Sequence, residues 1–132
     1  MPTVQLSLKA GLDPAEHLAI GRALATLRDE GVFIIGSGMS YHNMRGLMNP
    51  AGERSAAATF DAWLGETIAL DTEAREQRLT AWASAPSARR SHPREEHLLP
   101  LMVIAGAAGS DRGRTAHTGT LNGLPISGYH FG

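Results

Sequence analysis

Six histidines stand in a chain of 132 residues that has no cysteine, so acid/base or metal chemistry falls to imidazole and carboxylate groups. Two of the histidines sit in contexts that could do chemistry. His42 follows the apolar run Val32-Phe33-Ile34-Ile35 through Gly36-Ser37-Gly38-Met39-Ser40-Tyr41. Small residues there let the backbone turn sharply and leave room for a ligand, and Asn43 is placed to orient an imidazole by hydrogen bonding. Spacing alone leaves two readings of His42 open: a functional group at a strand end, or a hydrogen bond that stabilises its loop. The second context is His92-Pro93-Arg94-Glu95-Glu96-His97, followed at once by Leu98-Leu99. Two histidines five residues apart diverge by about 140° around a helix, so His92 and His97 do not ligate one ion as a helical pair. His97, projecting from the mouth of an apolar helix, needs a polar partner, and a metal would be one. The bland reading of Glu95 and Glu96 is a favourable interaction with the helix dipole. His17 has charged neighbours and reads as a solvated surface residue, while His117 and His130 read as structural or surface residues. The Gly-Ser-Gly run lacks the third glycine of a dinucleotide fingerprint, the Lys-Ser/Thr pair of a phosphate loop and the order of a nucleophile elbow.

The elements that must position these residues follow from periodicity and caps. Residues 3–8 alternate and lead to Gly11, as a short strand would. Asp13, Pro14 and Glu16 then open a helix whose apolar line runs through Ile20, Leu24 and Leu27 and stops at Gly31. The run at residues 32–35 is continuously apolar, as in a strand covered on both faces, so the unit reads β-α-β with parallel strands. The fold class expected is α/β, a partly parallel sheet flanked by helices. Residues 36–56 read as a long loop at the strand end, where such folds keep their sites. Packing helices are expected near residues 57–70 and 72–82. A last helix should begin at Ser91-His92-Pro93, with Pro100 bending it beside His97. One or two short strands close the chain over residues 114–132.

Length and composition bound the function. A chain of this size holds one compact domain, residues 1–132. Thirteen acidic residues nearly cancel twelve basic ones, without the basic stripe that a nucleic-acid or anionic-membrane partner requires. No apolar run reaches the roughly 20 residues that span a bilayer, and Met1-Pro2-Thr3 does not open a signal peptide, so the expected location is cytoplasmic.

The stretch VQLSLKAGLDPAEHLAIGRALATLRDEGVFIIGSGMSYHN, the segment FDAWL, the run HPREEHLLPLMVIAGAAG and the closing GYHFG together resemble the class III extradiol ring-cleavage dioxygenases. The likeness is to the catalytic-subunit type of protocatechuate 4,5-dioxygenase and the DOPA dioxygenases, and it covers the C-terminal half of that domain. The resemblance implies cleavage of a catecholic ring beside its hydroxyls with O2 at a non-haem Fe(II), or zinc in some members. It places His97 at the third metal-ligand position and His42 at the acid/base histidine. His92 falls on a family histidine close to the site, and with Ser37 and Asn43 it is expected to contact substrate or support the groups that do.

Family members are longer, and their first half carries two further histidine ligands whose motifs would lie before Met1. Three facial ligands are the ordinary minimum for ferrous iron in this class. The expected partners are therefore a catecholic small molecule, O2, and either further copies of the chain or a chain supplying the first half. The alternative is a non-catalytic oligomeric binding or structural module that keeps the fold.

Overall fold

The computed structural model describes residues 1–132 and is dominated by helices. Helix α1 spans Pro14–Leu24 and starts as its signals predict, with the Asp13 carboxylate accepting from the N–H groups of Ala15 and Glu16. It tightens into a 3-10 turn over Ala25–Arg28, and the chain reverses at Gly31 with φ of 79°. After α2 (Met44–Met48) come α3 (Arg54–Ile68) and α4 (Thr72–Thr80), the latter capped by Asp71. The short α5 (Ala88–Ser91) precedes α6 (Leu99–Ala107), and a hairpin of β1 (Gly113–Leu121) and β2 (Leu124–Phe131) closes the chain. Asn122 and Gly123 both have positive φ between paired Leu121 and Leu124, the two-residue turn that matches strand twist.

The core lies where α3 and α6 meet the hairpin and α1. Phe60, Leu64, Leu79, Leu99, Met102 and Ala105 have no exposed surface. Helix α1 crosses α6 at backbone contact: a Cβ on Gly21 would strike the Val103 carbonyl oxygen, and one on Gly106 that of Leu18. The buried face of α1 is accordingly His17, Leu18 and Gly21, with Ile20, Leu24 and Leu27 half-buried beside it. Arg75 is fully buried and donates to the carbonyls of Asp111 (2.8 Å), Gly109 (2.9 Å) and Ala105 (3.3 Å), satisfying acceptors that α6 leaves open at its end.

Several expectations are corrected. There is no parallel sheet: the two strands present, β1 and β2, are antiparallel. Residues 3–8 and 33–38 run without any backbone–backbone hydrogen bond, so the β-α-β unit is not closed; an extended segment becomes a strand only beside another. The run expected to be covered on both faces is instead open, with Phe33 72% and Ile35 73% exposed. The last helix begins at Leu99 rather than at residue 93, which puts Pro100 in its first turn, where no donor is missed and no bend arises. His17 is buried rather than solvated: its Nδ1 lies 2.6 Å from the Asp13 carbonyl, and its Nε2 accepts from the Lys9 N–H at 3.2 Å. No helix is long and apolar enough to cross a membrane.

Candidate functional site

Three of the expected site residues converge. The segment after residue 38 is stitched to the segment before α6 by backbone bonds: Met39 N–H donates to the His97 carbonyl and His42 N–H to that of Ser91, each at 2.9 Å. Gly38 makes this approach possible, because a Cβ there would collide with the His97 carbonyl oxygen. The outcome is that the His42 and His97 rings stack, their centroids 3.4 Å apart and their planes 13° from parallel.

His92 lies beneath them, fully buried, with the edges of Phe60 and Trp82 around it. Its Nε2 is 3.0 Å from the Ser40 carbonyl, which accepts only, so Nε2 carries the proton and Nδ1 is left without a partner. Burial lowers the His92 pKa to about 4, with the charge of His42 and His97 adding to the effect and the bond to Ser40 opposing it. His42 is also held below the usual imidazole value, first by burial and then by His97. Both rings are neutral at neutral pH, so His42 can take up a proton there.

The other expected residues hold different places. Asn43 caps α2 by accepting from Gly46 N–H at 3.2 Å and donates to the Arg90 carbonyl at 2.8 Å; it orients the loop rather than the imidazole. Ser37 is exposed and makes no hydrogen bond. Glu95 is paired to Arg89 at 2.6 Å and Glu96 to Arg94 at 3.3 Å. His117 is exposed on β1.

His97 lines a cavity of about 280 Å³ between residues 33–40, α6 and β2, whereas His42 faces an open polar cleft with Arg45 and Arg94. The cavity also brings in residues that spacing did not single out for a site. Tyr129 and His130 stand on its β2 wall, and the Tyr129 hydroxyl, His130 Nδ1 and His97 Nδ1 are all buried without a partner. Burial, and then the nearby Asp61 carboxylate, push the Tyr129 hydroxyl well above its usual range. On the loop side, Tyr41 donates to Glu53 at 3.2 Å, and burial raises its pKa to about 12.

As a metal centre the residues present are insufficient. No three His, Asp or Glu side chains converge. Of the histidine cluster, His92 is committed to Ser40, and the face-to-face stacking of His42 on His97 keeps their in-plane lone pairs in two nearly parallel planes, which do not meet at one point between them.

A model of the catalytic LigB subunit of aromatic ring-opening dioxygenase matches residues 1–132. A dioxygenase of Hapsidospora irregularis is 36% identical over all of the chain and 44% of its own length. The 4,5-DOPA dioxygenase extradiol of Beta vulgaris is 43% identical over 84% of the chain and 41% of its own. The crystal structure of an uncharacterized Escherichia coli protein superposes with a TM-score of 0.82 at 28% identity, over 96% of the chain and 54% of that protein. The chain thus spans about two fifths of the length of these curated relatives.

Proposed function

Because the chain belongs to the family of the catalytic LigB subunit of aromatic ring-opening dioxygenases, we propose that it supplies the acid/base side of a site for extradiol cleavage of a catecholic ring with O2. The observation that carries this reading is the stacking of His42 on His97 across two chain segments, with a neutral His42 open to a cleft.

In this reading His42 accepts the proton of a ring hydroxyl at its free ring nitrogen and later returns it, a task suited to an imidazole that is neutral when substrate arrives. Burial keeps it in that state. His92 acts through position: its bond to the Ser40 carbonyl fixes the loop whose next residues are Tyr41 and His42. Arg45, Arg94 and Glu53 line the cleft beside His42, and Arg94 and Glu53 are already paired to Glu96 and Arg90. His97 is the one side chain the chain contributes toward a bound Fe(II), or zinc, and the remaining ligands come from polypeptide outside these 132 residues. The same incompleteness favours the second reading, a binding module of the same fold, if no such polypeptide joins it.

The test is anaerobic ferrous-iron titration followed by a simple catechol and air. The chain is expected to hold less than stoichiometric iron and form no yellow ring-opened product. A complex of it with the portion of a relative lying outside the match should bind iron stoichiometrically and form that product. In that complex, His42→Ala should lower the rate by 100-fold or more, about the range for a general acid/base, with iron content unchanged. His97→Ala should lower iron and rate together. Unchanged rates in both variants would refute the assignment.

A further inference from the structure

The cavity beside His97 has the construction of a strand slot. Its walls are runs of consecutive residues, 33–36 with 38–40 on one side and 127–131 on the other, over a floor of Leu98, Leu101 and Ile104. Side chains alternate across an extended strand, so a pocket built from side chains takes every second residue, while consecutive residues line a groove when the backbone itself is the wall. Both walls are bare. Residues 33–38 make no backbone–backbone hydrogen bond, and β2 pairs along one edge only, with β1. On the open edge of β2 the Ser127 N–H is satisfied by Ser40 Oγ at 2.8 Å, which closes the groove at that end.

Exposed sheet edges are ordinarily blunted by lysine, proline or inward charge, because bare N–H and C=O groups recruit another strand. Residues 32–41 carry none of these, and no Asp, Glu, Lys or Arg lines the groove. Phe33 and Ile35 are among the most exposed apolar side chains of the molecule, and three buried polar atoms around the groove lack partners. The fold is nevertheless retained at a TM-score of 0.82 inside a solved protein of which it covers 54%.

We infer that the groove between residues 33–38 and β2 receives an inserted, predominantly apolar β-strand, and that this strand belongs to the portion of the family fold that the chain does not span. Insertion gives hydrogen-bond partners to both walls, covers Phe33 and Ile35, and lays the incoming backbone against His97, where further metal ligands are required. The inference rests on the family fold and the bare edges; it deepens the ring-cleavage reading but does not need it.

The test is co-expression of the chain with the unmatched portion of the Beta vulgaris relative, followed by light scattering and amide hydrogen exchange. A one-to-one complex is expected, in which the groove-facing amides among residues 33–38 and 128–131 exchange at least 100-fold more slowly than in the chain by itself. Ile35→Pro, which removes one edge donor from an exposed position, should abolish the complex and leave the far-ultraviolet spectrum of the chain unchanged. No complex, a complex with those amides unprotected, or protection already present through a second copy would each overturn the inference. Protection without ring cleavage would leave the strand slot standing and remove the enzymatic reading. Cleavage with unprotected amides would do the reverse.

Discussion

The imidazole of His92 shows how one residue sets both the shape and the pH response of the site. It is walled by Phe60 and Trp82, donates to Ser40, and has its pKa lowered by burial from the ordinary imidazole value of 6.5 to about 4. A lowered histidine pKa means that the unfolded chain binds more protons than the folded one between those two values. Stability therefore rises with pH through that window and is lost as pH falls from about 6.5 toward 4. The shift corresponds to about 3 kcal/mol at most. The carboxyls of Glu53 and Glu95, held low chiefly by hydrogen bonds from Arg90 and Arg89, lose stabilisation as they protonate at lower pH. The expected result is that urea melts of wild type and His92→Gln, compared pH by pH, diverge above pH 6 and converge as pH approaches 4. Parallel curves would show that His92 is not the group titrating. Little of this could be read from the histidine itself. The segment HPREEH singled out His97 as the inward-projecting residue, and only the fold shows His92 buried on a carbonyl and His97 stacked on His42. His17 was misread for a related reason: charged neighbours suggest solvent, but both its ring nitrogens find backbone partners in the loop that opens α1.

At the scale of elements, the helices with explicit caps were legible. Asp13-Pro14 and Asp71 start α1 and α4 where their side chains cap, and Phe60, Leu64 and Ile68 mark the buried face of α3. The start of α6 was placed at Pro93 and Pro100 inside the helix; the chain before Leu99 is instead held by His92 and by Leu98 N–H donating to Glu95, so the later proline opens the helix. What no periodicity reveals is the closeness of the α1–α6 crossing, and that closeness is testable with two glycines of opposite behaviour. Gly106→Ala should destabilise the fold by about 1–2 kcal/mol, because overpacking against the Leu18 backbone outweighs the roughly 1 kcal/mol gained in helix propensity. Gly65→Ala in α3 should stabilise by about 0.5–1 kcal/mol, since its Cβ would meet only Thr115 Oγ1 at an ordinary 3.6 Å. Denaturant midpoints of the two variants should move in opposite directions.

For the whole molecule, the failure of the parallel-sheet expectation and the composition of the surface are the same fact. Residues 3–8 and 32–35 were read as strands and neither forms one, because sheet formation is a property of neighbours and neither segment has a hydrogen-bonded strand beside it. The folded chain consequently separates two kinds of apolar residue. Phe60 is wholly buried and holds the core together, and Phe60→Ala should cost about 3–5 kcal/mol. Phe33 and Ile35 are nearly three quarters exposed, so a double change to serine should alter stability of the isolated chain by no more than about 0.5 kcal/mol. The same double variant should bind less of a hydrophobic dye and resist aggregation on concentration, because the open apolar face is what such a dye and a second molecule would find. A large loss of stability in the double variant would mean that residues 32–35 already belong to a closed core. An unchanged melting curve with reduced dye binding would mean that their hydrophobicity serves an assembly larger than this chain.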